Sequence, residues 1–163
     1  MKVWGVVGWK NAGKTGLMER LVAEFAGRGL SVSTLKHAHH SFDVDRPGKD
    51  SHRHRVAGAT EVLLASRTRW ALMHELRGAE EPTLESLLSR LSPVDLVLVE
   101  GWKRDVHAKI EAHRAERCQP LIAPGDPTVR AVAADVPLTL DRPVFHLDDT
   151  CAIADFIARE LRL

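Results

Sequence analysis

The stretch GWKNAGKT, residues 8–15, guides the interpretation of the whole chain because it lies between a predicted strand and a predicted helix. The apolar, β-branched run before it predicts a strand at residues 3–7. After it, apolar side chains recur at helical spacing up to the glycines of residues 27–29, and these side chains are Leu17, Leu21, Val22 and Phe25. The chain therefore starts with a strand, a glycine-containing loop and a helix.

The same stretch contains the pattern GxxxxGK[ST], whose fixed positions are Gly8, Gly13, Lys14 and Thr15. Glycines let the backbone turn so that successive amide N–H groups point inward, and the following helix adds its positive N-terminal end. Such a loop binds phosphate oxygens, with the lysine on the β- and γ-phosphates and the threonine hydroxyl on Mg²⁺. We therefore predict nucleotide binding, for which the loop offers three further candidates: Lys10, Asn11 and Ala12. Lys10 could touch phosphate or a partner, although an exposed loop lysine is the commoner outcome.

Another predicted strand ends in a carboxylate at the position where a phosphate-binding loop requires an acid. Residues 95–101 form the most apolar predicted strand, which ends in Glu100 and Gly101. An acid at the end of a strand beside the loop orders Mg²⁺ or an attacking water. Glu100 is therefore the predicted catalytic and metal-ordering residue. The alternative is an acid that is only solvated or paired with a lysine such as Lys103.

Strands and helices alternate along the rest of the chain, which favours an α/β fold. We expect a doubly wound, mostly parallel sheet of the P-loop NTPase type, in which residues 30–37 pair in parallel with the first strand. Further strands are predicted at residues 109–114, 120–124, 131–136 and 143–147, and further helices at residues 83–91 and 151–163. Thr83 should cap the first of these helices. Two tightly joined strands at residues 61–66 and 69–76 indicate a β-hairpin, which could protrude as a dimerisation arm or belong to the core.

Length and composition predict a single nucleotide-binding domain over residues 1–163. The 23 Lys and Arg residues are balanced by 22 Asp and Glu residues, so the net charge gives no sign of a nucleic-acid or membrane binder. No stretch approaches the roughly 20 apolar residues of a membrane span, and no signal-peptide pattern is present, so we expect a cytoplasmic protein. Cys118 and Cys151 lack CxxC spacing and are expected to be reduced thiols.

A polar segment at residues 37–55 contains five histidines: His37, His39, His40, His52 and His54. Their spacing matches no structural zinc pattern, so a dedicated metal site is only one of three interpretations. A solvated surface loop is the second. The third is a mobile loop near the γ-phosphate, in which carboxylates help to hold hydrated Mg²⁺ and cations contact phosphates. The candidates for these roles are Asp43, Asp45, Asp50, Lys49, Arg53 and Arg55.

Three segments together resemble one family: GWKNAGKT, TLKHAHHSFDVDRPGKDSHRHRVAGA at residues 34–59, and VDLVLVEGWK at residues 94–103. Over essentially its whole length the chain is similar to the MobB family of molybdopterin-guanine dinucleotide biosynthesis adaptor proteins. The resemblance implies a protein that binds GTP and Mg²⁺, is usually a homodimer and has weak GTPase activity at most. It also implies a role in molybdenum cofactor biosynthesis, assisting the guanylyltransferase that joins GMP to molybdopterin.

By position, the resemblance assigns phosphate and Mg²⁺ binding to the loop and places Glu100 and Gly101 beside the metal or the γ-phosphate. Four residues fall in the second polar motif as ligand or partner contacts: His37, Asp45, Asp50 and Arg53. Specificity for guanine rests on the resemblance, because the chain has no N-K-x-D or T-K-x-D tetrad. The nearest candidate is Asp135 after a late strand, which could instead cap a helix or a turn.

Two other functions fit parts of the sequence. A small-molecule kinase would close an arginine-rich lid over the phosphates, and residues 114–119 could be read as one. A metal-delivery GTPase would use the histidines as carriers, although no cysteine lies among them. The adaptor is the preferred interpretation, because no good general base is evident beside the loop.

Overall fold

The computed structural model describes residues 1–38 and 42–163, so His39 and His40 of the polar segment lie outside the described residues. The chain divides into two compact units, the sheet unit (Met1–His37 and Leu91–Leu163) and the hairpin unit (Ala38–Arg90). The strands and helices in chain order are β1 (Lys2–Val7), α1 (Lys14–Gly27), β2 (Val32–Lys36), α2 (Asp50–Val56), β3 (Glu61–Ala65), β4 (Trp70–His74), α3 (Leu84–Leu88), β5 (Leu96–Glu100), β6 (Lys109–His113), β7 (Val129–Ala134), β8 (Val144–His146) and α4 (Thr150–Leu161). Two 3-10 turns cover Ala115–Arg117 and Ala123–Gly125.

The sheet unit contains a six-stranded sheet in the order β2-β5-β1-β6-β7-β8. Every neighbouring pair is parallel, which confirms the predicted α/β fold with a mostly parallel sheet. β1 and β2 run in the same direction, but the expected direct pairing between them is wrong because β5 lies between them and pairs with both. All five residues of β5 are buried, as suits a central strand covered on both faces.

The two faces of this sheet are covered by different elements of the sheet unit. One face shares a buried cluster with α1 and α4, in which the Trp4 and Phe156 rings meet edge-on with 5.9 Å between centroids. The other face carries a smaller cluster, in which Val7 and Val132 pack with loop residues such as Leu121. Trp4 and Val7 reach opposite faces because side chains alternate along a strand.

The strand predicted at residues 120–124 is wrong, because a buried acid takes the hydrogen bonds that a strand would need. The backbone N–H groups of Ile122 and Ala123 donate to the carboxylate of Glu111 at 2.8–3.0 Å. The prolines at both ends of the segment have no N–H group to contribute to a sheet. Glu111 is fully buried, and these backbone donors provide the hydrogen bonding that a buried charge requires.

The predicted β-hairpin forms the second sheet, which belongs to the hairpin unit. β3 and β4 pair antiparallel and are separate from the six-stranded sheet. Leu63 lies opposite Leu72, and Ala65 lies opposite Trp70, so these four residues share one face of the ribbon. Leu63 is 60% exposed and Trp70 is 66% exposed, so this face has an exposed apolar part beside the polar pair Glu61 and His74.

The polar segment contains a helix, α2, that the sequence did not predict, so the expected loop is wrong for Asp50–Val56. Arg55 on this helix bonds to Asp43 at 2.8 Å, to Asp45 at 2.7 Å and to Glu75 at 3.3 Å. The hydrogen bond from Arg55 is the main cause that lowers the pKa of the Asp45 carboxyl. Ion pairs therefore hold a segment whose sequence lacks apolar periodicity.

Side-chain caps begin α3 and α4. Thr83 Oγ1 accepts the N–H of Ser86 at 3.2 Å, which confirms the predicted cap, although α3 is shorter than predicted. Asp149 accepts the N–H of Ala152 at 3.1 Å at the start of α4. In the described part of the chain, no helix combines the length and the apolar character needed to cross a membrane.

Two basic side chains are packed at the crossover between β5 and β6. Lys109 is fully buried and donates to the Asp105 carbonyl and to the Thr128 hydroxyl. Both ring nitrogens of His107 are buried and have no hydrogen-bond partner among the described residues. Burial lowers the pKa of His107, and the charge of Lys109 lowers it further, whereas Asp105 and Asp126 act in the opposite direction.

We predict that acidification destabilises the protein through His107. In the unfolded chain a histidine titrates near pH 6.5. The folded state binds this proton less readily, so the free energy of unfolding should decrease as the pH falls from about 6.5 to the lowered pKa of the folded state. Thermal unfolding of His107→Asn between about pH 5 and 8 should show a weaker pH dependence than the wild type. An exposed histidine, changed in His54→Asn, provides the control. An unchanged pH dependence in His107→Asn would show that His107 does not cause it.

Candidate functional site

The loop between β1 and α1 has a backbone that requires its glycines. Gly8 and Gly13 adopt φ angles of 145° and 95°, and Asn11 adopts 63°. A Cβ on Gly8 would lie 2.4 Å from the carbonyl oxygen of Ala112 on β6, so only glycine fits there. Ala12 is buried within the loop. The loop thus passes close to β6 and leads into the N-terminus of α1, an arrangement that presents amide N–H groups to an anion.

Lys14, the first residue of α1, is held against this loop. Its Nζ atom donates a hydrogen bond of 2.7 Å to the carbonyl oxygen of Trp9. Burial is the main cause that lowers the pKa of Lys14; Glu100 opposes the shift, while Lys103 and Lys36 add to it. An ammonium group has three N–H donors, so two remain for the oxygens of a phosphate.

Trp9 links the loop to two neighbouring segments. Its indole Nε1 donates to the carbonyl oxygen of Pro120 at 2.7 Å. The ammonium group of Lys103 lies 4.0 Å from the centroid of its ring, within the range of a cation–π interaction. The side chain therefore connects the loop to the segment that follows β5 and to the segment before the second 3-10 turn.

Glu100 ends β5 in the predicted place and is paired with a lysine. Lys36, the last residue of β2, is its register partner, and the Lys36 Nζ atom lies 3.4 Å from Glu100 Oε2. The sequence considered Lys103 for this pair, but the lysine within ion-pair distance is Lys36. Glu100 is buried, and its charge acts on Lys14, so it lies close to the loop.

Gly101 and His37 lie side by side where β5 and β2 end. The N–H of His37 donates to the carbonyl oxygen of Glu100 at 2.9 Å. Gly101 has a φ of 103°, and a Cβ at this position would lie 2.9 Å from the Cβ of His37. The His37 ring also lies 4.9 Å from the ring of Trp102. The structure therefore brings His37 and Gly101 to the carboxyl edge of the sheet together with Glu100.

Three predicted loop residues are exposed: Lys10, Asn11 and Thr15. Thr15 is the second residue of α1 and is exposed at the start of the helix. Lys10 has the exposure expected of an ordinary loop lysine, and the same exposure leaves it open to a ligand. Nucleotide contacts of these residues remain predictions.

Asp135 directly follows β7, and its carboxylate contacts the neighbouring turn. Asp135 Oδ1 accepts the backbone N–H of Ala115 at 2.9 Å, at the start of the first 3-10 turn. This is the capping contact that the sequence offered as the alternative to guanine binding. Recognition of guanine by Asp135 remains a prediction.

Three of the predicted contact residues belong to the hairpin unit: Asp45, Asp50 and Arg53. Asp45 Oδ1 is paired with Arg55, whereas its Oδ2 atom is buried without a hydrogen-bond partner among the described residues. Asp50 and Arg53 lie on α2 and line a groove of about 330 Å³. A ligand or partner contact of these residues remains a prediction.

The residues beside the loop fit Mg²⁺ that is bound mainly through phosphates. Within residues 1–38 and 42–163, no group of three or more His, Cys, Asp and Glu side chains could hold a metal ion. Mg²⁺ keeps several waters and needs only one or two protein ligands beside substrate phosphates. Thr15 and Glu100, both beside the loop, meet that smaller requirement.

One cation lies beside the loop at a position that sequence reasoning did not identify. The sequence offered Arg114 only as part of residues 114–119, which could be read as a kinase lid. In the structure, Ala115–Arg117 of this segment form a single 3-10 turn. A Cβ on Gly13 would lie 3.2 Å from Arg114 Nε and 3.0 Å from Leu147 Cδ2, so the arginine borders the phosphate loop. Only the pairing of β6 with β1 shows this proximity, since the residues are about a hundred positions apart.

We predict that Gly8→Ala disrupts the loop whereas Gly16→Ala does not. A methyl group on Gly8 would collide with the Ala112 carbonyl, so we expect a loss of about 1–3 kcal/mol in the free energy of unfolding. At Gly16, in α1, a Cβ would approach only the flexible end of Arg20 at 3.4 Å. Alanine there should be neutral or should stabilise the helix by up to about 1 kcal/mol. Urea unfolding checks both variants, and equal stabilities would contradict the required backbone approach.

The comparisons with known proteins agree on one family. The family model for "Molybdopterin guanine dinucleotide synthesis protein B" (MobB) matches residues 3–135. The chain is 44% identical to the molybdopterin-guanine dinucleotide biosynthesis adapter protein of Escherichia coli K12 over 154 residues, covering 91% of this chain and 87% of that protein. The protein of the same name from Haemophilus influenzae is 41% identical over 155 residues, covering 94% of this chain and 85% of its own length.

Solved structures of the same family share the fold. A MobB homologue from Bacillus stearothermophilus superposes with a TM-score of 0.74 at 30% identity, covering 99% of both chains. Bacillus subtilis MobB superposes with a TM-score of 0.78 at 25% identity, covering 99% of this chain and 98% of the other. Because the family model covers most of the sequence and the E. coli relative is 44% identical along nearly all of it, this chain belongs to the MobB family.

Proposed function

We propose that this protein binds GTP and serves as an adapter in molybdopterin-guanine dinucleotide biosynthesis. The names of the related E. coli and H. influenzae proteins support the pathway. The observation that carries the nucleotide proposal is the preformed loop, in which Gly8 and Gly13 have positive φ angles and Lys14 is held by the Trp9 carbonyl. A loop of this kind at the start of a helix binds phosphate groups.

Thr15 and Glu100 are the residues that would hold Mg²⁺ when nucleotide is bound. The ion would neutralise part of the charge on the phosphates. Glu100 would be released from Lys36 for this role, and Lys36 would then also face the phosphate charge. Gly101 follows Glu100 and has a positive φ angle, and its lack of a side chain would allow the backbone to approach the phosphates.

We propose that any GTP hydrolysis is slow. The carboxylates on the two strands beside β1 are both engaged. Glu100 is paired with Lys36 and would be bound to Mg²⁺ in the nucleotide complex, and Glu111 accepts the N–H groups of Ile122 and Ala123. A carboxylate held in this way is a poor acceptor for the proton of an attacking water. This favours an accessory protein that binds nucleotide over an efficient GTPase.

The proposed specificity for guanine and the proposed partner enzyme are both supported by membership of the family. Asp135 at the end of β7 is the candidate for the guanine base, beside its contact to Ala115. The proposed partner is the guanylyltransferase that attaches GMP to molybdopterin, and the candidate contact residues for this enzyme or for the cofactor are His37, Asp45, Asp50 and Arg53. The kinase alternative has less support, because the segment that could be read as a lid contains only a single 3-10 turn. The metal-delivery alternative depends on histidines of which two, His39 and His40, lie outside the described residues.

We propose a homodimer that uses the hairpin. A two-stranded hairpin is at best marginally stable when its faces are open to water. One face of the β3–β4 ribbon carries Leu63, Trp70 and Leu72, which are 60%, 66% and 44% exposed. Burial of these side chains against a second copy would remove apolar surface from water and stabilise the ribbon.

Replacing Lys14 tests the nucleotide site. We expect Lys14→Ala to bind GTP about ten- to a hundredfold more weakly than the wild type, because a charge-assisted contact of roughly 1.5–3 kcal/mol is lost. Titration calorimetry with GTP and with ATP, each with and without Mg²⁺, also measures the base preference and the metal dependence. The control is Lys2→Ala, at the opposite end of β1, which should bind like the wild type. Unchanged affinity in Lys14→Ala would refute the loop assignment.

Charged substitutions on the hairpin test the dimer. The double variant Leu63→Lys and Trp70→Lys should shift the protein from dimer to monomer in sedimentation equilibrium, because two desolvated charges would replace apolar contacts. Thr68→Lys adds a charge in the exposed turn of the same hairpin and should leave the dimer intact. A wild type that is monomeric at all concentrations, or a dimer that survives the double variant, would exclude this interface.

A further inference from the structure

Arg114 follows β6 directly, and β6 is the neighbour of the strand that leads into the phosphate loop. Its guanidinium group borders Gly13, since a Cβ built on Gly13 would lie 3.2 Å from Nε and 3.8 Å from Nη2 of Arg114. Gly13 immediately precedes Lys14 and the first turn of α1. The arginine side chain is therefore positioned at the place where the phosphate loop becomes a helix.

The guanidinium group of Arg114 lacks a hydrogen-bond acceptor and an ion-pair partner among residues 1–38 and 42–163. The nearby acids are already engaged: Glu116 pairs with Arg117 at 3.0 Å, and Asp135 accepts the N–H of Ala115. Arg114 is partly buried, so water reaches it only in part. A guanidinium group has five N–H donors and no acceptor. Because Arg114 is only partly buried, these donors are left to water or to the oxygen acceptors of a ligand.

The loop carries more positive than negative charge. Lys14 and Lys103 lie at the loop, and Arg114 borders it, whereas Glu100 is shared with Lys36. Like charges held close together repel each other, more strongly where water is partly excluded. A ligand with several negative oxygens would relieve this repulsion and would supply the acceptors that Arg114 lacks.

We propose that Arg114 contacts the polyphosphate chain of the bound nucleotide, as an arginine supplied by the same polypeptide. This inference rests on the proposed nucleotide function and adds a residue to that site. Arginine suits the role because its planar donor fork binds two oxygens of one phosphate group, whereas Lys14 acts as a point charge. Because the Arg114 guanidinium lies beside Gly13, it would contact the phosphate groups that bind near the start of α1.

The test compares Arg114→Ala and Arg114→Lys with Arg117→Ala, an exposed arginine of the same turn. Titration calorimetry with Mg²⁺ measures the binding of GTP, inorganic tripolyphosphate and guanosine. We expect Arg114→Ala to weaken GTP and tripolyphosphate about ten- to a hundredfold and to leave guanosine unchanged. Arg114→Lys should recover part of the loss because it restores the charge without the fork. Arg117→Ala should bind all three ligands like the wild type.

Each other outcome has a distinct meaning. If wild-type protein binds neither GTP nor tripolyphosphate, the proposed nucleotide function fails, and the Arg114 contact fails with it. If wild type binds and Arg114→Ala binds equally well, only the Arg114 contact is refuted. An equal loss for GTP and guanosine would place Arg114 at the base or ribose and would also overturn the proposal. Circular dichroism and thermal unfolding of each variant show that the fold is retained, and Arg114→Lys provides the comparison if Arg114→Ala unfolds.

Discussion

The close approach of the Gly8 backbone to the Ala112 carbonyl is the constraint on which the rest of the site depends. It brings the loop against β6 with no room for a side chain, so the chain leaves β1 at a fixed angle and enters α1 at Lys14. The same approach places the carboxyl ends of β1 and β6 side by side. Glu100, on the other side of β1, is held at a similar level by the register of β5. The backbone approach at Gly8 thus sets the positions of the loop and of Lys14, and the register of β5 sets the position of Glu100.

Charge is distributed unevenly around this loop. Lysines and an arginine surround it, while the two carboxylates on the adjacent strands are bound by other protein groups. Such a site favours a polyanion, because a ligand of opposite charge relieves the repulsion between fixed cations. The proposed nucleotide binding and the proposed slow turnover therefore rest on the same set of residues.

Local sequence patterns predicted the elements whose structure is determined by residues that are close together in the sequence. The glycine loop, the helical spacing of α1, the apolar strand β5 and the hairpin were all evident from residue order, as was the Thr83 cap. The errors arose where distant residues decide the structure. Residues 120–124 form no strand because backbone N–H groups of this segment donate to the buried carboxylate of Glu111. Helix α2 forms in a polar segment that the ion pairs of Arg55 stabilise. Strand order decides three further features, and no local sequence pattern contains it. These features are the position of β5 between β1 and β2, the pairing of Lys36 with Glu100, and the position of Arg114 beside the loop.

Contacts of Trp9 fix the shape of the loop. Its carbonyl holds Lys14, its indole N–H reaches Pro120, and its ring carries the ammonium group of Lys103. These contacts restrict the loop before any ligand arrives, so most of the conformational entropy of the loop is lost during folding and little remains to be lost on binding. Association with nucleotide would then need no large rearrangement of the backbone, and its rate would be governed mainly by diffusion and charge.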